Sequence, residues 1–152
     1  MPSIGGKILG ILLYMIPWAD CLGFGNHLYI KYPFTQIIQI PAIPIIIIER
    51  SIPFGNLLLF LAIFIGIVRN TKISYFLRFN ALQSLLINIG IIIIGFVFQI
   101  FFSPFGNSLI IRTFSSTLLI TIFSIITYCV WSCTQGNEPI LPGISQATKM
   151  QL

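Results

Sequence analysis

From Phe79 to Ile111 the chain carries no charged residue, a stretch longer than the about 20 apolar residues with which a helix crosses a hydrocarbon core of about 30 Å. Apolar runs closed by polar or proline-containing breaks recur along the rest of the sequence. Together they predict four transmembrane helices, at residues 5–29, 52–68, 76–102 and 109–132. The first is interrupted by Pro17 and Asp20 and resumes at Leu22-Gly23-Phe24-Gly25 before Lys31. The second lies between Arg50 and Arg69, whose long side chains can snorkel to opposite interfaces. The third follows the basic turn Arg69-Asn70-Thr71-Lys72 and stops at Ser103-Pro104-Phe105-Gly106-Asn107, where turn chemistry breaks it. The fourth gives way to Gln135-Gly136-Asn137-Glu138-Pro139, and residues 133–152 read as a short polar tail that cannot fold alone.

Residues 34–48 are apolar too, but Pro41 and Pro44 divide them. Each proline removes a backbone donor and crowds the preceding turn, so this stretch is expected to be an interfacial or re-entrant segment. Glu49-Arg50 ends it, and Ser51-Ile52-Pro53 has the chemistry of a helix start, with serine as cap and proline in the first turn. The expected fold class is therefore all-α: a single membrane domain over residues 1–152, built as a bundle of four transmembrane helices with a Pro-rich interfacial or re-entrant segment between the first and second.

Polar residues inside these runs form two stripes. At about 100° per residue, Asn80, Gln83, Ser84, Asn88, Gly95 and Gln99 project from the third helix within less than half a turn. An amide has no water to bond in hydrocarbon, so this stripe should turn toward another helix, a wet cavity or a partner. On the fourth helix Thr113, Thr117, Thr121, Ser124, Tyr128 and Ser132 recur at helical spacing, and hydroxyls at such positions allow close approach and cross-helix hydrogen bonds. The two stripes are expected to face each other. Either they are ordinary bundle packing, or Asn80, Gln83, Ser84, Asn88, Gln99, Thr117, Thr121 and Ser124 form a shared polar surface that receives a polypeptide or a partner.

Composition supports a membrane protein: 57% of the residues are hydrophobic and 7% charged, against about 25% charged in a globular domain. The net charge of +5 comes from scattered cations at segment ends, which excludes nucleic acid as a partner and points to lipid headgroups. Lys7, Arg69, Lys72, Arg78 and Lys149 fall on one side of a four-span topology, and Lys31, Arg50 and Arg112 on the other. The bias puts both termini on the cytoplasm-like side, which is the stroma in a plastid. Arg69, Lys72 and Arg78 form a candidate basic cluster there. Lys7 followed by Ile8 to Ile16 imitates a secretory signal but offers no small-x-small cleavage site, and no Ser- and Arg-rich leader is recognised, so the N-terminal segment reads as retained structure. Abundant Ile, Phe and Asn suit an AT-rich genome such as an organelle's.

Catalytic chemistry finds little footing. His27 is the lone histidine, the three cysteines (Cys21, Cys129 and Cys133) have neither disulfide-framework nor zinc spacing, and no nucleophile-base constellation or phosphate-cradling glycine loop occurs. The expectation is no enzyme, no cofactor and no metal.

The stretch Arg69-Asn70 followed by Ser74-Tyr75-Phe76-Leu77-Arg78-Phe79-Asn80-Ala81-Leu82-Gln83 resembles the signature of the twenty-kilodalton inner-envelope translocon component of chloroplasts and its cyanobacterial relatives, with Arg-Phe-Asn-x-x-Gln as its specific core. Tyr14-x-x-Pro17-Trp18-x-Asp20, Tyr32-Pro33 with Pro41 and Pro44, and Ile140-Leu141-Pro142 follow the family order, so the similarity covers nearly the whole chain. Ser84 stands where alanine commonly follows the glutamine, and Asn88 where an acidic residue is frequent, so the stripe carries less charge than the family pattern. The resemblance implies a four-helix, non-enzymatic protein of the plastid inner envelope, plastid-encoded or of cyanobacterial type. It would contribute to the import path for precursor polypeptides in a hetero-oligomer with other translocon subunits and membrane lipids. Its rivals are a structural or assembly subunit of another membrane complex and a small-solute channel; amides and hydroxyls alone along the later helices argue against the channel.

Overall fold

The computed structural model of the chain describes residues 2–102, 104, 106 and 108–152. Ser103, Phe105 and Asn107, on which the expected break after the third span partly rests, lie outside the described residues. Every regular element among the described residues is helical. Ile4–Lys31, Tyr75–Phe102 and Leu109–Gln135 are each long and apolar enough to cross a membrane. A fourth crossing is made if Pro33–Ser51 and Gly55–Val68, bent by 110°, count as one span.

The first span is a stack of three short helices, α1 (Ile4–Leu13), α2 (Met15–Cys21) and α3 (Asn26–Lys31), with a tight 3-10 turn at Leu22–Gly25. Pro17 explains the break at Tyr14. It has no N–H for the Leu13 carbonyl one turn back, and its ring crowds that carbonyl. Tyr14 therefore bonds to Ile11 at 3.1 Å in a tightened turn, and α2 restarts after it. At Gly25 the span comes so close to the fourth that a Cβ would strike the Tyr29 ring and sit 2.8 Å from Leu119.

After Tyr32 the Pro-rich segment winds as a 3-10 helix, Pro33–Ala42, and continues as α4 (Ile43–Ser51). The Trp18 indole N–H donates to the Ile38 carbonyl at 3.0 Å and pins this segment to α2. A corner then leads into α5 (Gly55–Ile63) and a wider turn at Phe64–Val68. The corner holds Phe54 at φ 57°, a left-handed conformation that costs a non-glycine residue about 1–2 kcal/mol. Gly55 follows with no room for a side chain, since a Cβ would lie 2.8 Å from the Glu49 carbonyl carbon. Gly55–Val68 alone is about 21 Å long at 1.5 Å per residue, short of a hydrocarbon core. The bent pair begins next to Lys31 and finishes where Val68 accepts from the Arg78 guanidinium at 2.8 Å, so it links the two ends of the bundle.

α6 (Tyr75–Phe102) and α7 (Leu109–Gln135) are the long rods. They do not lie face to face as the sequence pattern suggested. α1 and α2 pack against both of them, and the rods meet through side chains near their ends, with the Phe114 ring 6.1 Å from that of Phe98 and 5.4 Å from that of Phe102. The first span fits that space because Gly10, Pro17 and Ala19 let its backbone approach closely while Tyr14 fills the centre. The far half of α6 is bare, with Ile93, Phe96 and Ile100 exposed, as suits a face toward acyl chains.

The expected polar tail is part of the bundle. α7 runs on to Gln135, and Ile144–Gln151 form α8, which packs on α6 with Thr148 fully buried. Lys7 donates to the Thr134 carbonyl at 3.2 Å, and Gln151 borders the same pocket as Arg69 and Arg78. Both chain ends and the 69–78 loop thus share one end of the bundle, while Lys31 and the start of α7 lie at the other.

Candidate functional site: a buried amide cluster and the groove beside it

Asn80 sits one turn into α6 and is fully buried. Its Oδ1 accepts from the Tyr14 hydroxyl at 3.0 Å and from the Cys133 thiol at 3.0 Å, while its Nδ2 donates to the Phe76 carbonyl at 2.8 Å. One amide therefore joins the break in the first span to the last turns of α7. Three residues on, Gln83 Nε2 donates to the Pro139 carbonyl at 3.2 Å and lies 4.0 Å from the Cys129 sulfur; its Oε1 has no partner. The Pro139 carbonyl also accepts from Ser145 at 3.0 Å, and the Ser145 oxygen accepts from the Leu141 N–H at 2.7 Å. The segment around Leu141-Pro142 is held by these bonds against α6. Ser84 is buried and turns its hydroxyl to the Ala81 carbonyl in its own helix at 2.9 Å.

Asn88 is 1% exposed; its amide closes no short hydrogen bond, but it stands against the Asp20 carboxylate and favours its charged form. Level with it on the chain's other elements, Asp20 accepts from the Asn56 amide at 3.1 and 3.4 Å, which fastens α2 to the start of α5. Beyond this pair opens a side groove of about 410 Å³ whose polar lining includes Asp20, Asn26, His27, Asn56 and Ser115, with Gly95 of α6 on its wall. The Ser115 hydroxyl donates to the Phe24 carbonyl.

The structure thus brings Asn80, Gln83, Ser84 and Asn88 together inside the chain and separates them from the rest of the expected face. Gln99 is exposed, and so are Thr117, Thr121 and Ser124 on the outer side of α7. The correction has a simple chemical reason. A hydroxyl can bond the carbonyl one turn back in its own helix, as Thr117 does to Thr113 (2.9 Å), Thr121 to Thr117 (2.9 Å) and Ser124 to Ile120 (2.8 Å). It then needs no neighbour, whereas an amide with two donors and two acceptors does. In the basic cluster, Arg69 and Arg78 border a common pocket of about 390 Å³. Lys72 stays exposed on the adjoining turn, its backbone N–H bonded to Asn70 Oδ1 at 3.0 Å.

Tyr14, Cys133, Pro139 and the Asp20–Asn56 contact belong to the site and were not singled out by periodicity. Tyr14 and Asp20 did stand in the Tyr14-x-x-Pro17-Trp18-x-Asp20 string, and Pro139 precedes the Ile140-Leu141-Pro142 string. The thiols gave no signal, because a cysteine in apolar sequence reads as core.

Residues 2–148 match the family described as chloroplast import apparatus Tic20-like. A Tic20 family protein of Synechocystis sp. is 30% identical over 147 residues, covering 96% of this chain and 92% of that protein. Protein TIC 20-II, chloroplastic, of Arabidopsis thaliana is 26% identical over 149 residues, covering 96% of this chain and 72% of its own. The Tic20 family protein Ycf60 of Gracilaria tenuistipitata var. liui is 29% identical over 156 residues, covering 99% and 76%.

Proposed function

The chain belongs to the Tic20-like family of the chloroplast import apparatus, and we propose that it is a non-enzymatic, multi-pass subunit of the plastid inner-envelope translocon that supplies one wall of the path for precursor polypeptides. Its termini face the stroma, and other translocon subunits complete the path around it in a hetero-oligomer. The observation that carries this reading is the groove beside Asp20. Its lining sets a carboxylate, two asparagine amides and a hydroxyl beside Ile91, Ile92 and Phe98, between the first and third candidate spans. A polypeptide in transit brings its own backbone donors and acceptors, which Asn26, His27 and the remaining lone pairs of Asp20 can bond in turn, while Asn56 and Ser115 are already bonded within the chain. An open groove needs a second surface to close it, hence a wall and a hetero-oligomer.

The buried amide cluster supports a second role, that of a structural subunit, because Asn80 and Gln83 spend their bonds inside the chain. Photo-crosslinkers at Asn26, Gly95 and Thr121, with a precursor stalled in import, separate the two. The expected result is precursor adducts from Asn26 and Gly95 and adducts to neighbouring subunits from Thr121. Groove probes that capture only subunits or lipid while import proceeds would leave the structural role alone.

A further inference from the structure

A second cavity, of about 610 Å³, lies at the end of the bundle away from the termini, where α3 runs out and α7 begins. Its lining includes Lys31, Arg112, His27, Thr113 and Thr117 and, among the described residues, no acidic one. Lys31 is the last residue of α3, and Arg112 stands in the first turn of α7, so both cations occupy the depth at which a span leaves hydrocarbon. The first turn of a 27-residue helix, capped by the Ser108 side chain on the Ile111 N–H, borders the same space, and the positive end of a helix favours an anion. Leu109, whose backbone N–H belongs to the opening turn of that helix, is itself on the cavity wall. Around the rim, Ile30 (80% exposed), Leu109 (80%) and Ile120 (59%) present bare apolar side chains. Tyr32 lies beneath the Lys31 ammonium, 5.5 Å from it to the ring centroid.

We infer that this cavity is a binding site for the anionic headgroup of a membrane lipid, held by Lys31, Arg112 and the start of α7. The charge calls for a phosphate or similar monoanion, and the apolar rim calls for a ligand that carries acyl chains. A soluble anion satisfies the first condition only. The Lys31 ammonium and the Arg112 guanidinium would supply charge-assisted donors to the headgroup oxygens, and His27 a further ring N–H. The acyl chains would run along the outer faces of α3 and α7, over Ile30 and Ile120. The inference is independent of the import role and concerns the end of the molecule opposite the Arg69–Arg78 pocket.

The test uses the full chain in nanodiscs of phosphatidylcholine with a minor fraction of phosphatidylglycerol, released for native mass spectrometry. The expected result is selective retention of phosphatidylglycerol by the unmodified chain. Lys31→Gln and Arg112→Gln should each reduce that retention about tenfold, the loss that follows from removing one charge-assisted hydrogen bond, while Arg69→Gln at the opposite end leaves it unchanged. Lys31→Gln carries the test if Arg112→Gln fails to fold, since Lys31 is exposed at a helix end. Equal retention of the two lipids, or an equal loss from Arg69→Gln, overturns the site. Displacement of the bound lipid by inorganic phosphate alone overturns the lipid assignment in favour of a soluble anion.

Discussion

The Tyr14 hydroxyl and the Asn80 side-chain carbonyl meet at 3.0 Å with both residues wholly buried, so the point at which Pro17 breaks the first span is also the point at which that span is bonded to the third. Replacing Asn80 by Leu removes the acceptor from two buried donors, Tyr14 and Cys133. The expected loss is about 2–3 kcal/mol, with insertion intact, read by reversible unfolding in mixed micelles. Tyr14→Phe combined with Asn80→Ala should show a coupling of about 0.6–1.7 kcal/mol. Strict additivity of the two changes would mean the bond contributes nothing.

Asn88 should respond in the same direction but more weakly. Its amide is buried and closes no short hydrogen bond, yet it stands against the Asp20 carboxylate and favours its charged form, so Asn88→Leu takes a polar neighbour from a partly buried carboxylate. A loss of about 1 kcal/mol is expected in the same unfolding measurement. A gain in stability would show that Asn88 does nothing for Asp20 in the folded chain.

On α7 the outward hydroxyls are satisfied by their own helix, and Thr117→Val and Thr121→Val should leave the isolated chain within about 0.5 kcal/mol of its starting stability. Reduced recovery of the intact translocon with these variants, at unchanged stability of the subunit, would identify this side of α7 as the surface turned to a partner helix. A large loss in the isolated chain would instead mean that the two hydroxyls are needed for its own packing.

The corner at Phe54-Gly55 makes a paired prediction. Gly55→Ala drives a methyl group into the Glu49 backbone and should cost about 2 kcal/mol or more, with the α4–α5 angle opening in spin-label distances between Ile47 and Leu58. Phe54→Gly relieves the left-handed strain at little loss of contact, because Phe54 is 81% exposed. A gain of about 0.5 kcal/mol is expected once the extra chain entropy of glycine is set against the strain. If both changes are neutral, the corner is not under the steric control described.

How far the sequence could be read depended on which force set each feature. Charge and proline placement report directly on where a helix can cross a bilayer, so the long rods ending near Phe102 and starting near Leu109 were legible, as was the interruption at residues 34–48. The inward turn of Asn80, Gln83 and Asn88 was legible because an amide cannot satisfy itself in a helix. The same logic misled on Thr117, Thr121 and Ser124, where periodicity is identical but the hydroxyl bonds its own backbone. Gln99 fails for a different reason: it lies beyond Ile91, past the point at which α1 and α2 cover α6. That the first span would settle between the two rods depends on the fit of small residues such as Gly10 and Ala19 across elements distant in sequence, and no local period encodes it. The role of residues 139–151 was hidden for the same cause, since their partner Gln83 is 56 positions from Pro139.

That separation sets an order of events during synthesis. Gln83 enters the membrane with the third helix, long before Pro139 has been made, and its amide must wait in an apolar setting until Pro139 emerges and folds back on it. The finished state is therefore reached only after Pro139 has been made, and a product truncated ahead of it would leave the Gln83 amide stranded.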